Sequence, residues 1–129
     1  MTGELTRIMA EITSGGQRFG HRQHIQLAFI AGRRYGAAAA PDLMRGWIKQ
    51  IAAAHGAPEK YHETITVTWA RLVAYHVAAD PSLHSFDAFV DRHPALLDKT
   101  LLARHYSAPA LGSATARTNW VEPDLIALP

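Results

Sequence analysis

Two histidines, His21 and His24, stand three residues apart in a segment that begins at Phe19. On a helix, residues three apart lie on one face, so both imidazoles would project the same way. Such a pair can bind a metal ion, or place a proton donor beside a proton acceptor. The spacing fixes no third ligand. It is also typical of one exposed ring beside another that hydrogen-bonds a backbone carbonyl.

A second group of polar side chains lies between Lys60 and Thr66. On a helix, His62 and Thr66 would share a face with Trp69. An inward-facing histidine, hydroxyl and indole predict the wall of a small-molecule pocket, with Tyr61 beside it to orient the ligand. The alternative is a core helix, in which Thr66 bonds its own backbone and His62 is satisfied internally.

Arg117, near the C-terminal end, is a third candidate. A guanidinium matches the oxygens of a carboxylate or phosphate, so Arg117 could hold an anionic group at the mouth of a pocket. The alternative is an ordinary surface charge at the end of a helix.

Several familiar catalytic signals are absent. The chain has no glycine-rich phosphate loop and no Gly-x-Ser-x-Gly motif. His62 and Glu63 begin a His-Glu-x-x-His pattern, but Thr66 stands where the second histidine is needed. Cysteine is absent, so thiol nucleophiles, thiolate metal sites and disulfides are excluded. That absence suits a reducing, cytoplasmic setting.

The composition predicts one globular domain. The chain has 129 residues, of which 48% are hydrophobic, and we expect residues 1–129 to form a single unit. Its net charge is +2, and its basic residues are scattered, with Arg33 and Arg34 the only adjacent pair. Nucleic-acid binding is therefore not expected, because it usually needs a concentrated basic stripe. No run approaches the roughly 20 apolar residues that cross a bilayer, so no membrane partner is expected either.

Helical spacing of apolar residues predicts an all-α fold, a single compact bundle of about five to seven helices. The proline-containing apolar tail, Asn119 to Pro129, predicts an extended strap packed onto that bundle. The predicted helices are Thr2–Thr13, His21–Ala39, Pro41–His55, Pro58–Ala79, Ser85–Val90, His93–His105 and Ser107–Arg117.

One stretch gives conflicting signals. Residues 64–69 alternate as a strand would and are rich in β-branched side chains. The following residues have helical spacing, and no turn residue separates the two halves. A lone strand would also lack a partner elsewhere in the chain. A single buried helix is therefore favoured, with the strand as the alternative.

Three motifs run along most of the chain: Phe19-x-His21-x-x-His24, then Ala54-His55-Gly56-Ala57-Pro58-x-Lys60-Tyr61-His62-x-Thr64, then Tyr106-Ser107 with Pro123-Asp124. Together they resemble a widespread group of small uncharacterised bacterial proteins. That group has no settled activity, so the resemblance implies no catalytic residue. It does imply a complete domain, and it singles out His21, His24, Tyr61 and His62.

These features predict a small bacterial enzyme, or enzyme subunit, that acts on a small polar metabolite. His24 and His62 would exchange protons with it in a hydrolysis, elimination or isomerisation. No organic cofactor is expected, although zinc on His21, His24 and His62 is a variant. The alternative is a non-catalytic module that binds a small molecule, a partner subunit or a second copy of the chain. The residues expected to bind the substrate are His21, Tyr61, Thr66, Trp69 and Arg117.

Overall fold

The fold is described by a computed structural model that covers residues 1–129 and contains no strand. The all-α prediction is therefore confirmed, and the seven α-helices lie within the predicted number. None of them combines the length and apolarity needed to span a bilayer. The helices are α1 (Gly3–Ile12), α2 (His21–Tyr35), α3 (Ala40–Ala54), α4 (Glu63–Ala79), α5 (Phe86–Arg92), α6 (Ala108–Leu111) and α7 (Ala114–Thr118).

Helix α4 is the central element. It packs against both α2 and α3, and most of its 17 residues are buried. Thr64, Thr66 and Thr68 are among them, so the strand-like stretch lies inside a helix surrounded by other elements. Tertiary packing overrides the local β preference here, because burial contributes more than intrinsic propensity. The helix prediction for residues 64–69 is confirmed, and the strand alternative is wrong.

The start of α4 differs from the prediction. The expected helix from Pro58 is instead a 3₁₀ turn, Pro58–Lys60, followed by two extended residues, Tyr61 and His62, and then α4. His62 caps the helix, since its Nδ1 accepts a hydrogen bond from the Ile65 N–H at 3.1 Å. The cap supplies an acceptor that the first helical turn lacks. His62 therefore lies just outside the helix and not on its predicted inward face.

The later elements are more broken than predicted. Instead of one helix over residues 93–105, the chain forms two 3₁₀ segments, Pro94–Leu97 and Lys99–Arg104, with Asp98 accepting the Thr100 N–H between them. The expected helix over residues 107–117 divides into α6 and α7, because Ser113 caps a new helix. Short polar side chains compete with helix propagation in this way. Helix α2 ends at Tyr35, before a glycine with φ of +87°.

The residues after α7 lie as an extended strap on the bundle, tied to it by buried hydroxyls. Thr64 Oγ1 donates to the Asn119 carbonyl at 2.8 Å and accepts from the Val121 N–H at 3.2 Å. Tyr106 Oη donates to the Val121 carbonyl at 2.6 Å. Further along, the Leu125 N–H donates to the His105 carbonyl at 3.0 Å. The strap is therefore part of the packed structure.

Substituting Thr64→Val should lower the free energy of unfolding by about 1–2 kcal/mol, because it removes the two hydrogen bonds that buried Thr64 makes to the Asn119 carbonyl and the Val121 N–H with little change in side-chain volume. Chemical denaturation measures this change. Thr115→Val is the matched control, since Thr115 is exposed and is expected to tolerate the change. Equal effects of the two substitutions would contradict the role assigned to Thr64.

Candidate functional site

The first turn of α2 opens onto a cavity of about 640 Å³. We call it the imidazole cavity. Helix α4 and the segment from Lys99 to Leu111 complete its walls. Its principal lining residues are Phe19, His21, His24, Ile65, Trp69 and Lys99.

His24 has a buried ring nitrogen with no partner. Its Nε2 is inaccessible to solvent and forms no hydrogen bond, although part of the residue remains exposed. An unpaired buried polar group costs about 1–3 kcal/mol. Burial, with a smaller contribution from nearby His21, lowers the pKa of His24 to about 4. The ring is therefore neutral at pH 7 and offers a hydrogen-bonding nitrogen that nothing in the chain uses.

His21 is held in place by two neighbours. Its Nε2 lies 2.9 Å from the Leu96 carbonyl, and because a carbonyl can only accept, Nε2 carries the proton. Its ring meets the Trp69 ring edge to face, with centroids 4.7 Å apart. Burial lowers the pKa of His21, and the bond to Leu96 only partly opposes this. The centroids of His21 and His24 are 6.5 Å apart, so the predicted pairing of these two imidazoles in one hollow is present in the structure.

A second cavity, about 740 Å³, lies beyond His24 on the side of α3. Phe19, His24 and Ile65 line both cavities and separate them. Phe19 stacks on His24 with a centroid separation of 6.3 Å and an angle of 26° between the rings. His62 also lines the second cavity. The imidazoles of the early and middle segments therefore do border a common hollow, as the sequence predicts.

His62 nevertheless has no free nitrogen. Since its Nδ1 accepts from the Ile65 N–H, the neutral ring carries its proton on Nε2, which donates to the Leu111 carbonyl at 2.8 Å. A catalytic base needs a lone pair directed at the substrate. The geometry therefore gives His62 a structural role, joining the start of α4 to α6, in place of the predicted catalytic one.

Tyr61 is engaged in a second polar network. Its hydroxyl donates to Glu63 Oε1 at 2.6 Å, and Glu63 Oε2 accepts from Arg45 Nε at 2.7 Å. Arg45 also pairs with Asp42. Burial and the bond to Glu63 raise the pKa of Tyr61, so its hydroxyl stays protonated. The network satisfies the buried Glu63 carboxylate, and it leaves Tyr61 little freedom to orient a ligand.

The remaining predicted residues do not lie at one site. Trp69 lines the imidazole cavity, whereas Thr66 lines the second one. Arg117 lines neither, because its Nη1 donates to the carbonyls of Glu59 at 3.1 Å and Tyr61 at 3.4 Å. The prediction that Arg117 holds an anion at a pocket mouth is wrong for these cavities. It fastens α7 to the 3₁₀ turn before α4.

The three-histidine zinc site of the sequence interpretation is not formed. No three histidine, aspartate or glutamate side chains lie close enough together to hold a metal ion. The reason is local, since His21 Nε2 is bonded to Leu96 and both nitrogens of His62 are occupied.

One lining residue, Lys99, was missed by sequence reasoning. It is the only lysine, arginine, aspartate or glutamate lining the imidazole cavity. It lies on a 3₁₀ segment far from α2 in the chain, and no spacing pattern links the two.

Comparisons with models of protein families, with curated proteins and with solved structures find no match for this chain. The resemblance to small bacterial proteins therefore stays a prediction. Function has to be inferred from the chemistry of the cavities themselves.

Replacing His62 tests whether it acts by capping. His62→Ala should lower the free energy of unfolding by about 1–3 kcal/mol, because it removes the cap of α4 and the bond to Leu111. His62→Asn should recover part of this loss, since its amide oxygen can still accept the Ile65 N–H. Thermal or chemical unfolding gives both values. A fully stable His62→Ala variant would contradict the structural role.

Burial of His24 predicts a pH dependence of stability. Its folded-state pKa is about 4, against 6.5 when unperturbed, so between these values the unfolded chain binds a proton that the folded chain does not. Stability should therefore fall as the pH decreases through this window. Between pH 8 and pH 5, the wild-type protein should lose about 2 kcal/mol more than His24→Leu, which has no such proton site. Equal losses in chemical denaturation would show that His24 is not buried in neutral form.

Proposed function

We propose that this chain is a binding domain for a small, largely apolar molecule that carries one polar group, and that the imidazole cavity holds it. The observation that supports this most directly is the unpaired Nε2 of His24. Buried polar groups in proteins nearly always have partners. A ligand hydroxyl, carbonyl or amide would supply the missing one after a small shift of the His24 or Phe19 ring, because Nε2 is closed to a water molecule in the structure as it stands.

The walls indicate the shape of the ligand. Phe19 and Trp69 contribute aromatic surfaces, and Ile65, Leu102 and Leu111 add aliphatic ones. A volume of about 640 Å³ lies within the usual range for small-molecule pockets. These features suit a flat ring system of one or two rings.

Lys99 sets the expected polarity of the ligand's outer end. Its side chain is exposed, and it is the one charged group of the walls. A hydrogen-bond acceptor or an anionic group at that end would be attracted to the ammonium. The one polar group that the proposal requires is the group that meets His24, and an additional acceptor facing Lys99 would strengthen binding without being needed for it.

Binding explains this geometry better than proton-transfer catalysis. A general acid or base works best when its pKa is near the working pH. The pKa of His24 is about 4, and both nitrogens of His62 are already bonded. The enzyme predicted from the sequence would need a second proton carrier, and neither His62 nor Tyr61 is free to be one.

A pair of matched probes tests the proposal. 2-Naphthol and naphthalene have the same ring system, and only the first carries a hydroxyl. We expect 2-naphthol to bind in the imidazole cavity and to shift the NMR signals of His24 and of the Trp69 indole. His24→Leu should lower the affinity for 2-naphthol by about tenfold, as expected for the loss of one buried hydrogen bond, and leave the affinity for naphthalene nearly unchanged.

His84→Leu serves as the control, since His84 is exposed and lines neither cavity. It should bind both probes as the wild-type protein does. Equal weakening of both probes by His24→Leu, or no binding of either, would contradict the proposal. Chemical conversion of 2-naphthol during the titration would favour the enzyme over the binding domain.

A further inference from the structure

A third cavity, about 450 Å³, lies on the other side of the segment that walls the imidazole cavity. We call it the arginine cavity. Its polar lining consists of five side chains: His76, Arg92, His93, Arg104 and His105. His76 belongs to α4. Arg92 ends α5 and His93 follows it, and Arg104 ends the second 3₁₀ segment and His105 follows it.

Both guanidiniums at this cavity lack an anionic partner. Arg92 and Arg104 take part in none of the chain's ion pairs, whereas Arg22 and Arg45 each pair with a carboxylate. No aspartate or glutamate lines the cavity. Asp80, which is near it, accepts a hydrogen bond from His93 Nε2 at 2.7 Å. The two arginines therefore meet no aspartate or glutamate side chain in the lining, which also includes the last residue, Pro129.

The imidazoles add hydrogen-bonding capacity. His76 and His93 lie almost against each other, with ring centroids 4.4 Å apart. Burial, together with the neighbouring His93, lowers the pKa of His76. His105 donates from Nδ1 to the Ile126 carbonyl at 2.8 Å, which fixes its ring against the strap. His76 forms no such bond and remains available to a ligand.

The rest of the cavity is apolar and well fixed. Leu72, Leu96 and Leu101 form its floor, and Ile126 of the strap closes one side. The Ile126 N–H donates to the Arg104 carbonyl at 3.3 Å, so the strap and the arginine share a backbone contact. An occupant would have its apolar part on the leucines and its charged part at the rim, where both arginines are exposed.

We propose that the arginine cavity is a binding site for a small oxyanion, a carboxylate or a phosphate, carried on an apolar group. The two guanidiniums would bind the oxygens through paired N–H donors, and the leucine floor would hold the apolar part. This site is separate from the imidazole cavity and would take a different class of ligand. It does not depend on the function proposed there.

Three probes with one ring each separate the possible ligands. Phenyl phosphate and benzoate carry the two kinds of oxyanion, and benzyl alcohol is neutral. Calorimetric titration of the full chain should show saturable binding of at least one anion and none of the alcohol. The anion that binds more tightly shows whether the site prefers a phosphate or a carboxylate. NMR should show the His76 and His93 ring signals moving along the same saturation curve.

Charge-matched variants locate the binding. Arg92→Gln and Arg104→Gln should each lower the affinity for the anion by about tenfold, as expected for loss of a charge-assisted hydrogen bond. Arg7→Gln removes the same charge from an exposed position on α1, away from all the cavities described, and should leave the affinity within about twofold of wild type. Circular dichroism checks that each variant is folded.

Three results would overturn the proposal. The first is an equal loss of anion affinity in all three variants, which would show only a general attraction to a positive protein. The second is benzyl alcohol binding as tightly as the anions, and the third is no saturable binding of either anion.

Discussion

The structure depends on satisfying the polar groups at the buried start of α4. A helix leaves its first N–H groups without partners, and α4 begins in the interior with threonines and a carboxylate around it. His62 caps the helix, and Thr64 bonds two backbone groups of the strap. These bonds draw the C-terminal third of the chain over α4. The walls of the imidazole and arginine cavities exist because that third is held there.

The segment between residues 94 and 104 separates those two cavities. Its short 3₁₀ turns place some side chains on one side and some on the other, so that Lys99 faces the imidazole cavity and Arg104 the arginine cavity. Leu96 takes part in both, since its carbonyl binds His21 while its side chain lines the arginine cavity. A regular helix over this stretch, as the sequence predicts, would lack the break at Asp98.

Features set by local spacing could be predicted from the sequence. The pairing of His21 and His24 follows from three-residue helical spacing, and the long helix over residues 64–79 follows from the absence of any break. Features set by distant contacts could not. The Leu111 carbonyl accepts from His62 Nε2 and so leaves Nδ1 as the acceptor that caps α4, while Arg117 donates to a carbonyl of the turn before α4. Pattern alone cannot show which polar partner a residue meets after folding.

The central claim is that the buried nitrogen of His24 anchors a ligand, and a crystal structure of the protein soaked with 2-naphthol tests it most directly. The account predicts the ring system between Phe19 and Trp69, with its hydroxyl within hydrogen-bonding distance of Nε2. Density for 2-naphthol elsewhere, with the imidazole cavity empty or holding only water, would contradict it.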